Sequence, residues 1–129
     1  MPPFLSDAWI AALDEAARAD EELRAVAAEA DLVFQQVVVD GDHEVAYVVI
    51  LTADEVAVRP GFVEAPTVTF TQDRHTAEEV ASGARSALQA FVDGEIRVRG
   101  DVVSLSERHR VLAKLSDVFA SVRDEPGVL

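Results

Sequence analysis

The chain has 129 residues, a formal net charge of −13 and no cysteine. This length predicts one domain, residues 1–129, with a single core, and the lack of cysteine excludes disulfides, thiolate nucleophiles and cysteine metal sites. The first 83 residues hold 17 acidic and 4 basic side chains and the remainder hold seven of each, so the acidic excess is N-terminal and opposes binding to nucleic-acid phosphates.

Neither a leader nor a membrane span is expected. Residues 1–7 contain no basic segment and no long apolar one, and the longest apolar runs fall short of the ~20 residues that a spanning helix needs. We therefore expect a cytoplasmic protein. Aromatic residues make up 6% of a chain that is 50% hydrophobic, so the interior is expected to consist mainly of Val, Ala and Leu, which suit an ordinary core as well as a cavity lining.

Helical spacing predicts an N-terminal helical arm. Ser6 is placed to cap a first helix on which Trp9 and Leu13 share one face. Alanine-rich sequence then continues the helix to about Ala30, with a break near Asp20.

A meander of three strands follows this arm. Residues 32–39, 44–51 and 56–59 are rich in valine and other strand formers. The Asp-Gly-Asp sequence at 40–42 predicts a tight hairpin turn, and residues 53–55 predict a second turn.

The next segment reads as strand, two short helices and strand. Residues 67–71 and 95–99 alternate polar and apolar side chains, so each strand should have one buried face. Between them Thr76 is predicted to cap a helix together with Glu79 in a capping box, and Gly83 is predicted to end that helix.

An amphipathic terminal helix completes the predicted α+β chain. Its apolar residues recur at helical spacing, and they are Leu112, Leu115, Phe119 and Val122, widened by Val111 and Val118. The acidic tail, residues 124–129, is expected to be frayed.

Three phrases of the sequence together resemble the sterol carrier protein 2 family, also called non-specific lipid-transfer or sterol-transfer domains. The first is AFVDGEIRVRGD at residues 90–101, with an apolar residue between two arginines and a closing Gly-Asp. The second is the Thr-Ala-x-x-Val-x-x-Gly pattern at 76–83, and the third is the amphipathic stretch at 114–123. The resemblance covers roughly residues 30–123.

The resemblance implies a five-stranded mixed, mainly antiparallel sheet, covered on one face by about five helices, with an elongated apolar cavity between the layers. It implies binding and carrying of a sterol, a fatty acid or a fatty acyl thioester, without catalysis and without a cofactor or metal. The expected cavity residues are apolar and lie on predicted inward faces: Phe34, Phe70, Val80, Leu88, Phe91, Leu112, Leu115 and Phe119. Each of them would also fit an ordinary core.

Trp9 and Tyr47 are weaker candidates for the cavity. Trp9 has an alternative role, which is to hold the first helix against the sheet.

Catalytic and metal constellations are weak in this sequence. None of the histidines, at positions 43, 75 and 109, has a second histidine three or four residues away, so a helical metal pair is absent. The acidic cluster at 40–44 is interpreted as solvated turn chemistry, and Asp73-Arg74-His75 as residues of a helix start. These observations favour a protein that is not an enzyme.

Two other functions remain open. The first is a ligand-free dimerisation or scaffold domain serving a lipid- or steroid-metabolising enzyme or an isoprenoid-quinone pathway, with the acidic half as partner surface. The second is a small acid–base enzyme, which would need a buried titratable group. Transient contact with an anionic membrane is also open, through the basic residues of the C-terminal part: Arg97, Arg99, Arg108, Arg110 and Lys114.

Overall fold

The computed structural model describes residues 5–82, 84, 85, 87–101, 103, 111, 114 and 118. Its elements in chain order are α1 (Asp7–Ala19), α2 (Glu21–Ala30), β1 (Leu32–Asp40), β2 (His43–Leu51), β3 (Val56–Pro60), β4 (Val68–Asp73), α3 (Arg74–Ala81), α4 (Ala87–Val92) and β5 (Ile96–Gly100). Val111, Lys114 and Val118 also have helical backbone, at the position predicted for the terminal helix. The predicted α+β class is confirmed.

The five strands form one mixed sheet in the order β3-β2-β1-β4-β5. Strands β1 and β4 pair in parallel, and the other neighbours pair antiparallel. Asp40 pairs with His43 across a turn that contains Gly41 with a φ of 61°, a conformation that glycine adopts without strain. The predicted hairpin is therefore confirmed.

Side-chain caps set the limits of the N-terminal helices. The Ser6 hydroxyl accepts a hydrogen bond from the Trp9 N–H at 3.1 Å, and the Asp20 carboxylate accepts one from the Leu23 N–H at 2.9 Å. Both caps satisfy amides that have no partner within the helix. The predicted start of the arm at Ser6 and its break at Asp20 are confirmed.

The predicted capping box at Thr76 is wrong. Strand β4 continues to Asp73, whose carboxylate accepts a hydrogen bond from the Thr76 N–H at 2.8 Å and caps α3. The helix therefore begins at Arg74, and Thr76 is buried within its first turn. Asp73 is the capping residue instead of Thr76 because its carboxylate, at the end of β4, reaches the first amides of the helix. Helix α3 ends at Ala81, and Gly83, its predicted stop, lies outside the described residues.

Glycine is required where β5 ends against β4. Gly100 has a φ of +108°, and a Cβ atom at this position would lie 2.3 Å from the Thr67 carbonyl oxygen. The same oxygen accepts a hydrogen bond from the Asp101 N–H at 2.9 Å. This close approach holds the end of β5 against the start of β4, and a side chain at Gly100 would push the two strands apart.

The helices pack on one face of the sheet, and α1 and α2 form the best-filled part of the core. Helix α1 contacts β3 and α2 contacts β2, and the helical residues Leu13 and Leu23 have no exposed surface. Val111 and Val118 belong to the same core cluster. None of the helices within the described ranges is long and apolar enough to cross a membrane.

The other face of the sheet is crossed by the connection from β3 to β4. Gln35, 3% exposed, points to this face; its amide nitrogen donates to the carbonyl oxygens of Tyr47 at 3.1 Å and Gly61 at 3.0 Å. Its amide oxygen accepts from the Val63 N–H at 2.8 Å. One buried glutamine thus holds the crossing chain against β1, and the crossing makes the β1–β4 pair parallel.

Candidate functional site

The register of the sheet aligns the helix-facing side chains in rows that run across the strands. The first row is Val58, Val49, Phe34 and Val68. The second row is Tyr47, Gln36, Phe70 and Val98. The third row is Val45, Val38, Gln72 and Ile96. These rows form the wall of the site predicted between sheet and helices.

Burial changes from the first row to the others. No side chain of the first row is more than 3% exposed. In the second row Gln36, Phe70 and Val98 are half-buried, and in the third row Val45 and Gln72 are half-buried. Residual exposure on a helix-facing surface means that the covering layer fits less closely above the second and third rows than above the first row.

Aromatic contacts lie where the buried first row meets the half-buried part of the second row. The rings of Phe34 and Phe70, both predicted site residues, lie with their centroids 5.7 Å apart and tilted by 53°. Trp9 meets Tyr47 edge-on at 5.7 Å, so the predicted role of Trp9 in holding α1 on the sheet is confirmed. Burial raises the pKa of Tyr47, so its phenol is neutral at physiological pH.

The other predicted cavity residues have different positions. Val80 is half-buried on α3. Phe91 on α4 is 45% exposed, so the inward face predicted for it is wrong; the helix is short and turns this ring outward. The side chain of Leu88 and the residues Leu112, Leu115 and Phe119 lie outside the described part of the structure.

A pair of glutamines on the helix-facing surface was missed by the sequence reasoning. The Gln72 amide nitrogen donates a hydrogen bond to the Gln36 amide oxygen at 3.0 Å. The pair joins the second row to the third. The available signal was alternation, because Gln36 has the same parity as Phe34 and Val38, and Gln72 the same parity as Phe70.

Ion pairs hold the helices around this surface. The guanidinium of Arg85 contacts the carboxylates of Glu79, Asp93 and Glu95, and so links α3, the end of α4 and the start of β5. The hydrogen bond from Arg85 lowers the pKa of Asp93. These pairs are individually weak at a surface, but a network of them restrains the orientation of the short helices.

The terminal segment is attached to the start of α2. The ammonium of Lys114 lies 3.3 Å from Asp20 and 3.2 Å from Glu22. Lys114 is therefore paired with carboxylates of the protein itself, which opposes its use in the membrane contact considered above. Arg97 and Arg99 are exposed on β5, while Arg108 and Arg110 lie outside the described residues.

The three residues Asp73, Arg74 and His75 do not form a catalytic site. Asp73 caps α3, Arg74 pairs with Glu78 at 2.9 Å and with Asp40 at 3.3 Å, and the side chain of His75 is 81% exposed. The contact with Arg74 also engages the acidic hairpin tip. Within the described ranges no cluster of three or more His, Asp and Glu side chains could hold a metal ion.

Solved structures match this architecture. The conserved hypothetical protein TT1886 from Thermus thermophilus, a candidate sterol carrier protein, superposes with a TM-score of 0.79 at 20% identity, covering 93% of this chain and 90% of that chain. Sterol carrier protein 2 gives a TM-score of 0.77 at 20% identity, covering 92% of this chain and 98% of that chain. The ubiquinone synthesis protein UbiJ-SCP2 gives 0.57 at 15% identity, with 98% and 99% covered.

No family model and no curated protein sequence matches the chain. At these identities the structural matches define the fold. The resemblance found in the sequence is thus confirmed at the level of the fold.

Proposed function

We propose that this chain, which has the sterol carrier protein 2 fold, binds a lipid-like ligand in an apolar cavity between the sheet and the helices and carries it without catalysis. The candidate ligands are a sterol, a fatty acid and a fatty acyl thioester. The observation that carries the proposal is the loosely covered surface of the second and third rows, formed by Phe70, Val98 and their half-buried neighbours. A fully packed first row lies directly beside it.

Apolar contacts alone can supply the binding free energy at such a site. Removing apolar surface from water contributes about 25 cal/mol per Å², so burying roughly 300 Å² of a ligand contributes about 7 kcal/mol before the costs of ordering. The wall between Phe34 and Val98 is mostly apolar and supplies this kind of surface.

The described interior also favours a carrier over an acid–base enzyme. General acid–base catalysis works best with a group whose pKa lies near the working pH. The buried phenol of Tyr47 has a raised pKa, which moves it away from that range. His43 and His75 are exposed and face solvent rather than the interior.

Binding can be tested directly on the delipidated chain. We expect cis-parinaric acid or dehydroergosterol to bind one molecule per chain by fluorescence titration, and native mass spectrometry of freshly purified protein to detect a stoichiometric hydrophobic molecule. Absence of both the bound molecule and the fluorescence response would contradict the proposal.

A filling variant locates the binding site. Val98→Trp adds an indole above β5 and should weaken probe binding at least tenfold, whereas Val92→Trp, at a side chain that is 69% exposed on α4, should leave it unchanged. Equal binding by both variants would place the ligand elsewhere.

Further variants separate the predicted cavity from the histidines. Leu115→Glu, at a position outside the described residues, should abolish probe binding, with folding checked by circular dichroism. His43→Ala and His75→Ala should bind the probe as the unmodified chain does, and a loss in either would mean that a histidine contributes to the site.

A second candidate function is a dimerisation or scaffold domain for an enzyme of lipid or steroid metabolism. The match to a ubiquinone synthesis protein favours it, as do large apolar side chains at the surface: Phe62, Val63, Phe91 and Val92. Sedimentation velocity distinguishes the two functions. A dimer that is broken by Phe62→Ser or Phe91→Ser, in a chain that binds neither probe, would favour the scaffold.

A further inference from the structure

We propose that the pair Gln36–Gln72 is the polar anchor of the ligand and selects a lipid alcohol over the corresponding ketone or ether. This inference rests on the proposed function, because it assigns the head group of the molecule bound against the second and third rows. It starts from one atom. Among the residues that the structure describes, Gln72 Oε1 is a buried side-chain oxygen with no hydrogen-bond partner.

The neighbours of Gln72 on the adjacent strands are apolar. Gln72 lies between Val38 on β1 and Ile96 on β5, which are 1% and 6% exposed. Gln36 lies between Tyr47 and Phe70 in the next row. A buried oxygen without a donor carries its full desolvation cost, so a donor brought by a ligand would be bound favourably.

The pairing geometry leaves one acceptor open in either orientation. The single contact between the two amides uses one N–H and one oxygen. If both amides rotate by 180°, the Gln36 amide nitrogen donates to the Gln72 amide oxygen. The Gln36 amide oxygen is then the acceptor that has no donor. The pair therefore always offers one amide oxygen for a hydroxyl donor.

A hydroxyl matches this pair better than other lipid head groups do. A hydroxyl donates one hydrogen bond and can accept from a remaining amide N–H. A ketone, ether or thioester can only accept, so it leaves the amide oxygen buried without a donor. An ionised carboxylate is also unfavourable, because the three rows of the described surface contain no cationic side chain to compensate its charge.

Competition on the unmodified chain tests the selection. Bound dehydroergosterol or cis-parinaric acid is titrated with two pairs of competitors: cholestanol and cholestan-3-one, and separately 1-octadecanol and its methyl ether. We expect the alcohol of the pair that binds to displace the probe at about tenfold lower concentration. A ratio near one would overturn the anchor while leaving the carrier function in place. No displacement and no probe binding would overturn both.

A double variant assigns the selection to the pair. Removing one glutamine leaves the oxygen of the other open, so both must be replaced. In Gln36→Met/Gln72→Met the alcohol preference should disappear, and the ketone or ether should bind at least as well as before. The control Gln89→Met, an exposed glutamine on α4, should keep the preference. A tenfold preference that survives in the folded double variant would refute the role of the pair, and if this variant does not fold, the competition on the unmodified chain decides.

Discussion

The two ends of the sheet differ in how closely the helices cover them. Above β3 and β2 the core cluster includes Leu13 and Leu23 of the helices and Val49 and Leu51 of the sheet, and none of these side chains has exposed surface. Above β4 and β5 the helix-facing residues Phe70, Gln72 and Val98 are half-buried. The β3–β2 end, here called the closed end, is therefore packed more tightly than the β4–β5 end, the open end, at which we propose that the ligand binds.

The largest effect is expected at the open end, where the edge strand β5 ends against β4. Gly100→Ala places a Cβ atom against the Thr67 carbonyl oxygen in a backbone of positive φ, so it should lower the free energy of unfolding by about 3 kcal/mol. Gly94→Ala, where no atom lies within 4 Å of the added Cβ, should cost about 1 kcal/mol. Urea unfolding measures both, and equal losses would contradict the steric argument.

Matched valines on the same face test the packing difference. Val49→Ala removes two methyl groups from a site with no exposed surface and should cost about 2.5 kcal/mol, while Val98→Ala at the open end should cost about 1 kcal/mol. If both variants lose the same free energy of unfolding in urea, the open end is as tightly packed as the closed one.

Two glutamines on opposite faces of the sheet sharpen the comparison further. Gln35→Leu removes the donor and acceptor that hold the β3–β4 connection and should cost about 2 kcal/mol. Gln72→Leu removes a buried oxygen that has no donor together with the hydrogen bond to Gln36. The gain and the loss offset each other, so stability should change by less than about 0.5 kcal/mol. Thermal unfolding followed by circular dichroism ranks the two variants, and the reverse ranking would refute this division between structure and site.

The smallest effect is a pH dependence at the cap of α3. The hydrogen bond from the Thr76 N–H lowers the pKa of Asp73 below its ordinary value of 3.8. The carboxylate therefore stabilises the fold above that pH, and this contribution is lost as the pH falls through the pKa of the folded state.

Asp73→Asn keeps a capping oxygen but removes the charge, so it should lose a few tenths of a kcal/mol at pH 7. Its difference from the unmodified chain should vanish near pH 2 in urea unfolding. Asp54→Asn, in the exposed turn between β2 and β3, is the control, and a difference at Asp73 that persists at low pH would mean that the charge is not its cause.

Local patterns were enough to predict most of the fold. Ser6 and Asp20 delimit the helical arm because capping depends on a side chain and an amide three residues apart. The hairpin at Gly41 is equally local. The sequence reasoning failed at α3, where Asp73 and Thr76 were both able to cap, and only the length of β4 decided between them.

The site was predicted less completely than the fold. Phe34 and Phe70 were expected to face inward, and their rings do meet. Phe91 was expected to do the same but is 45% exposed, since the orientation of a short helix depends on contacts such as those of Arg85.

By itself, the sequence of this protein determined the order of its helices and strands, most of their limits and the apolar face of each strand, because these follow from spacing along the chain. Only the tertiary structure decided that Gln36 and Gln72 touch and that Phe70 and Val98 are only half-buried beneath the helices. The parallel register of β1 and β4 brings these residues together from distant positions in the chain, and such a register is set by the crossing connection rather than by any local pattern.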